Sequence, residues 1–198
     1  MYTQYEKLRP QSPPLYDKQS YYDHLMTNAP AGENAQWLAQ IVSSWLVGES
    51  ELPDYLGLVP DDFIAMMRYF FPGVVISGYC FSGRQADFSR MPEKADLIEL
   101  FHQHRIDDRA ERGWIAEILV SACLGMDHLW QDTGLWNRQH LSALITHNFP
   151  TLANENRRDM KWKKFFYKQL CDGEGAYVCR APSCDVCADF DLCFGPDE

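Results

Sequence analysis

Four cysteines close to the C-terminus are the residues of this chain best suited to bind a metal. They are Cys179, Cys184, Cys187 and Cys193, and they leave four, two and five residues between successive thiols. Thiolates are soft ligands, and four of them within fifteen positions can surround one metal centre without help from distant segments. Pro182 stiffens the approach to the two central thiols, which are spaced so that both sulfur atoms can face one ion or cluster. The pattern predicts a metal site.

The spacing of these cysteines leaves the identity of the metal open. A zinc ion and an iron–sulfur cluster each take four thiolates. The pattern is neither the bacterial ferredoxin run, with its short repeated gaps and following proline, nor the paired spacing of a zinc ribbon. We therefore weigh an iron–sulfur cluster, a structural zinc ion and unliganded thiols as alternatives.

Other residues are weaker candidates for metal binding. His128 and Asp132 lie four apart on a predicted helix, so they can touch each other or share a metal, although a local pair or a contact at a helix end is the commoner outcome. We expect Cys123 to be a buried small hydrophobe, and we favour burial over accessory ligation for Cys171. Cys80 falls in a predicted loop, and its role is not evident from the sequence.

A basic segment precedes the cysteines. Six of the eighteen basic residues fall within twelve positions, with Asp159 the only acid among them. On a helix, the basic positions Arg157, Lys161, Lys164 and Lys168 form one stripe, and the positions Trp162, Phe165, Phe166 and Leu170 form an apolar face opposite. The stripe is either a solvated surface or a cationic strip that attracts an oxyanion, offsets an anionic cluster or docks an acidic partner.

Apolar periodicity predicts that helices position these residues. Helices are expected over 33–46, 60–71, 92–104, 109–124, 127–131, 137–148 and 156–170, with a long loop at 73–91 that contains one short β-like run. The predicted fold is all-α, with an irregular cysteine-rich C-terminal segment. We divide the chain into an N-terminal arm (1–31), a helical domain (32–171) and a cysteine-rich, cluster-binding tail (172–198).

Composition narrows the function. The chain has 198 residues, and 18 basic against 28 acidic residues give a formal charge of −10, which disfavours nucleic acid as a partner. The longest apolar runs, such as Phe63 to Met67, fall far short of the ~20 residues that span a bilayer, so no membrane is expected. The N-terminus has neither signal-peptide nor transit-peptide character, and seven cysteines, an odd number, suit a reducing compartment. We expect a cytoplasmic protein.

The C-terminal third resembles the NifQ proteins of molybdenum nitrogen fixation. The matching segments are the residues from His128 to Asp132 with Gly134 and Leu135, Asn148 to Pro150, Asp159 to Tyr167, Gln169 to Cys171, and the tail from Cys179 to Pro196. The spacing of the four cysteines is that family's signature, and the lysine–aromatic block before them is nearly as distinctive. The resemblance covers about seventy residues well and does not extend to the N-terminal arm.

The resemblance implies a metallocluster carrier and not an enzyme. It implies that Cys179, Cys184, Cys187 and Cys193 bind an iron–sulfur cluster, which becomes a molybdenum–iron–sulfur species when molybdenum from molybdate is acquired. The implied partners are the scaffold on which the nitrogenase iron–molybdenum cofactor is assembled and the nitrogenase iron protein. His128 and Asp132 are weak candidates for the non-cysteine ligand to molybdenum. A zinc-stapled helical interaction module and an iron–sulfur electron carrier remain alternatives.

Overall fold

The regular elements of the described chain are helical. The computed structural model describes residues 17–74 and 83–174. Within these two ranges the α-helices are α1 (Lys18–Met26), α2 (Glu33–Leu46), α3 (Pro60–Phe70), α4 (Lys94–His104), α5 (Ala110–Ala122), α6 (Leu129–Thr133), α7 (Arg138–Asn148), α8 (Pro150–Glu155) and α9 (Trp162–Glu174). Single 3-10 turns lie at Asp54–Gly57 and Phe88–Arg90. The all-α prediction is confirmed for this part of the chain, whereas the predicted cysteine-rich segment and Cys80 lie outside the described residues.

Local sequence signals explain several helix boundaries. Asp17 caps α1 by accepting a hydrogen bond from the backbone N–H of Ser20 at 2.8 Å. Pro60 opens α3, where the proline nitrogen needs no partner. At the end of α6, Gly134 has a φ of 81°, the left-handed conformation that favours glycine after a helix. The predicted positions of α2 and α3 are confirmed to within one residue at each end.

Helix α1 lies where the sequence predicted an arm without regular periodicity. Leu25 is its buried residue, and the Tyr22 ring packs 5.0 Å from the ring of Trp136, measured between centroids. One buried residue in nine gives almost no periodic signal, and this explains why the helix was missed. The helix α8 was also missed, because Pro150 begins a new helix directly after α7 ends.

Helix α9 begins later than the sequence predicted. The side chain of Asn156 accepts a hydrogen bond from the N–H of Met160 at 2.9 Å and donates one to the carbonyl of Met160 at 3.0 Å. These two bonds close a loop before the helix. Asp159 in this loop has a φ of 49°. Arg157 and Lys161 therefore precede α9, and the prediction of one helical stripe running from Arg157 to Lys168 is wrong.

The apolar face predicted for α9 is confirmed. Trp162, Phe165 and Phe166 are buried, and the Phe166 ring packs 4.9 Å from that of Phe101 on α4, measured between centroids. Phe101 also packs against Phe149, 4.8 Å away, at the junction of α7 and α8. Burial of these large rings is the main force that holds α9 on the core.

Candidate functional site

The structure describes the helix that leads to the predicted metal ligands. Cys179, Cys184, Cys187 and Cys193 themselves lie outside the described residues. Helix α9 ends at Glu174, five positions before Cys179. The contacts that fix α9 are therefore the contacts that fix the point from which the cysteine segment continues.

A buried ion pair joins α9 to α6. The ammonium group of Lys163 donates to the carboxylate of Asp132 and to the carbonyl oxygen of Gly125, the latter at 2.8 Å. Asp132 is 1% exposed and Lys163 is 7% exposed. The second carboxylate oxygen accepts a hydrogen bond from the N–H of Asp127 at 3.3 Å. Each charge in the pair is thus compensated inside the protein, which burial requires.

Gly125 leaves room for this pair. A Cβ atom at Gly125 would lie 2.3 to 2.7 Å from the carboxyl atoms of Asp132, closer than real Cβ contacts allow. Burial raises the pKa of Asp132 above its ordinary value, while the neighbouring Lys163 ammonium acts in the opposite direction. The site therefore depends on a small residue at position 125 and on a cation at position 163.

His128 makes a contact at a helix end, which is one of the two commoner outcomes expected for it. His128 caps α6: its side chain accepts a hydrogen bond from the N–H of Gln131, while the side chain of Gln131 accepts one from the N–H of His128. Asp132 faces Lys163 instead. Within residues 17–74 and 83–174, no three His, Cys, Asp or Glu side chains come close enough to hold a metal ion.

The two cysteines that the structure describes have different surroundings. Cys123 is fully buried, and burial raises the pKa of its thiol to about 12. This agrees with the prediction of a small hydrophobe in the core. Cys171 is half-buried on α9, three residues before the end of the helix.

A second buried charge network was not predicted. Arg112 on α5 is 2% exposed, and its guanidinium lies 2.7 Å from Glu111 and donates to the side-chain carbonyl of Asn148 at 2.5 Å. Asn34 on α2 donates to the same oxygen at 2.9 Å. The network joins α2, α5 and α7. One feature of the sequence could have indicated this network. Arg112 lies three residues before Ile115 and therefore falls on the buried face of α5.

Comparisons with known proteins identify the family of this chain. The described residues define a helical protein, and the sequence continues from its last described helix into a four-cysteine segment. The NifQ family model matches residues 37–195. The chain therefore belongs to the NifQ family, which is implicated in nitrogenase cofactor biosynthesis.

Individual relatives are similar over most of their length. The chain is 41% identical to Protein NifQ of Azotobacter vinelandii over 174 residues, which cover 83% of this chain and 89% of that protein. It is 35% identical to Protein NifQ of Rhodobacter capsulatus, with 81% and 87% covered, and 33% identical to Protein NifQ of Klebsiella pneumoniae, with 80% and 96% covered. No solved structure matches the chain. None of the described helices has the length and apolar character needed to cross a membrane.

Proposed function

We propose that the protein is a carrier of an iron–sulfur metallocluster that acquires molybdenum and donates it to the scaffold for nitrogenase iron–molybdenum cofactor assembly. Cys179, Cys184, Cys187 and Cys193 are the proposed ligands, and the cluster is cargo that the protein gives up. The observation that carries the proposal is this complete four-cysteine set in a chain that belongs to the NifQ family.

The chemistry of the donor set supports this proposal. Thiolates suit iron–sulfur species, and the four thiols follow one another within fifteen positions after α9. The four proposed ligands therefore come from one short stretch of chain and not from several helices. Cys123, the buried thiol of the described core, does not compete, because its raised pKa disfavours the thiolate that binds metals.

The proposal names a role, partners and a compartment. Molybdate supplies the metal, and the cofactor scaffold and the nitrogenase iron protein are the partners. The protein acts as a carrier and not as a catalyst. The cytoplasm is its proposed location, since a reducing compartment keeps cysteine thiols available for metal binding.

Molybdenum transfer tests this function. The full chain is loaded anaerobically with iron, sulfide and molybdate, desalted and mixed with the purified cofactor scaffold protein, and molybdenum on each protein is then measured by mass spectrometry. We expect molybdenum to move to the scaffold. The variant Cys184→Ala should lose loading and transfer, whereas Cys123→Ala, which removes a core thiol, should retain both.

Two other results would favour rival functions. Retention of molybdenum together with reversible one-electron cycling of the cluster would indicate an electron carrier. A colourless protein with one zinc ion per chain would indicate that the cysteines bind a structural zinc ion that stabilises a helical interaction module.

A further inference from the structure

A cleft of about 350 Å³ lies on the surface between the end of α2 and α6. Its walls come from residues 48–51, which follow α2, and from residues 127–136. The volume is near the lower end of the ~300–1,000 Å³ of typical ligand sites. It therefore fits one or two side chains better than a large cofactor.

Hydrogen bonds hold the two walls of the cleft together. The hydroxyl of Ser44 donates to the carbonyl of Gly134 at 2.6 Å, and the N–H of Glu51 donates to the carbonyl of Asp132 at 3.0 Å. A Cβ at Gly134 would lie 2.7 Å from the Cβ of Ser44, so the walls meet closely. A preformed site of this kind loses little conformational freedom when a ligand binds.

The lining of the cleft combines carboxylates with aromatic rings. Glu49, Glu51 and Asp127 are exposed at its edge, and Trp130 and Trp136 are half-buried in its walls. Carboxylates and the faces of tryptophan rings both attract cations. The lining therefore selects for positive charge.

A cation of the chain itself already lies at the edge of the cleft. The ammonium group of Lys18 lies 2.5 Å from the carboxylate of Glu49 and 5.7 Å from the centroid of the Trp136 ring. This contact shows the recognition mode that the lining offers. Glu51 and Asp127 have the same chemistry on the other part of the edge.

We propose that this cleft docks a partner protein that presents an arginine on an extended segment. The guanidinium supplies donors to the exposed carboxylates of Glu51 and Asp127 and stacks on a half-buried tryptophan ring of the wall. The carboxylates at the cleft do not come together as a metal-binding group within the described residues, so the lining does not suit a bare metal ion. The formal charge of −10 favours encounter with a basic partner.

The test is a titration of the isotope-labelled full chain with the peptide acetyl-Gly-Arg-Gly-Arg-Gly-amide, followed by nuclear magnetic resonance in reducing buffer. We expect shifts at the indole N–H of Trp136 and at the amides of Glu51 and Asp127. The double variant Glu51→Gln/Asp127→Asn should bind about fivefold more weakly, because exposed charge pairs contribute ~0.2–1 kcal/mol each. The matched control Asp96→Asn/Glu99→Gln, on the exposed surface of α4, should bind like the parent.

Several results would overturn the proposal. Shifts spread over the whole surface, or an equal loss of affinity in the α4 control, would show attraction to net charge alone. The same shifts with a peptide in which glutamate replaces arginine would exclude recognition of a cation. If the cleft signals depend on protein concentration and not on peptide, the occupant is a second copy of the chain. These readouts need no metal, so they are independent of the proposed carrier function.

Discussion

The ammonium group of Lys163 and the carboxylate of Asp132 form an ion pair inside the protein, although the two residues are 31 positions apart in the sequence. The pair joins α9 to α6 and includes the carbonyl of Gly125. Because the cysteine segment follows α9 in the sequence, this pair helps to fix the helix from which that segment continues. The pair is therefore a structural support of the helix that precedes the proposed ligands.

Removal of the cation should destabilise the fold strongly. Lys163→Met leaves the carboxylate of Asp132 buried and uncompensated, a change that costs ~3–5 kcal/mol when a buried pair is broken. We expect a loss of about 3 kcal/mol in the free energy of unfolding, measured by urea denaturation near neutral pH.

Two variants serve as controls for this change. Lys168→Met, on the exposed side of the same helix, should cost less than about 0.5 kcal/mol. Lys163→Met combined with Asp132→Asn should recover part of the loss, since the uncompensated charge is then absent. If Lys163→Met is as stable as Lys168→Met, the ion pair is not a support of α9.

A methyl group at position 125 should disrupt the same pair. Gly125→Ala puts a Cβ within 2.3 to 2.7 Å of the Asp132 carboxyl, and we expect a destabilisation of ~1–3 kcal/mol. Gly113 on α5 provides the matched control, because a Cβ there would meet nothing within 4 Å. Gly113→Ala should be stabilising by up to about 1 kcal/mol, as expected for a helix interior. Equal thermal stability of the two variants would contradict this account.

The sequence predicts the helices that bury an apolar stripe. The stripes of α2 and α3 and the rings on α9 follow the helical period, so their burial could be anticipated. Helix α1 has only Leu25 buried and gives no comparable signal. The burial of Lys163 was not predicted, because its buried partner is 31 positions away. Its place within the aromatic face, three residues before Phe166, was the signal that could have shown it.

For the candidate ligands too, the sequence shows patterns between neighbouring residues but not contacts between residues that are far apart in the chain. The spacing of the four cysteines is a local pattern, and the sequence alone identifies them. His128 and Asp132 are also close in the sequence, but their partners are decided by the fold: His128 caps α6, while Asp132 pairs with Lys163 from α9. A spacing of four residues allows contact on a helix, but a buried carboxylate pairs with the cation that desolvation requires.

One acidic side chain should make stability depend on pH. The hydrogen bond from the Arg109 side chain is the main factor that lowers the pKa of Asp107 from 3.8 to about 2. The native state therefore favours the ionised carboxyl of Asp107. This contribution to stability is present when the pH is above the ordinary pKa of 3.8, and it is lost as the pH falls towards the native pKa of about 2. Asp107→Asn should lower the melting temperature near neutral pH, and its difference from the parent should disappear near pH 2.

The control for this pH dependence is the neighbouring Asp108, whose side chain is 86% exposed beside Arg105. Asp108→Asn should change the melting temperature little at any pH, because exposed pairs contribute little. A difference between Asp107→Asn and the parent that stays constant across the acidic range would show that the hydrogen bonds of Asp107 do not stabilise the ionised carboxyl.

The thiol of Cys123 should be unreactive in the folded protein. It is completely buried and its pKa is raised to about 12, so both access and ionisation oppose alkylation. Iodoacetamide applied at mildly alkaline pH should leave Cys123 unmodified in the native protein and modify it in denaturant, as shown by peptide mass mapping. Modification of native Cys123 at the rate of free glutathione would contradict the burial described here.

Metal and sulfide analysis of the anaerobically purified full chain tests the central claim most directly. The account predicts a brown protein that contains iron and acid-labile sulfide in near-equal amounts, and it predicts that the variant Cys184→Ala loses both while Cys123→Ala keeps them. Zinc in place of iron, or iron and sulfide that remain bound after Cys184→Ala, would contradict the assignment of Cys179, Cys184, Cys187 and Cys193 as ligands of an iron–sulfur cluster.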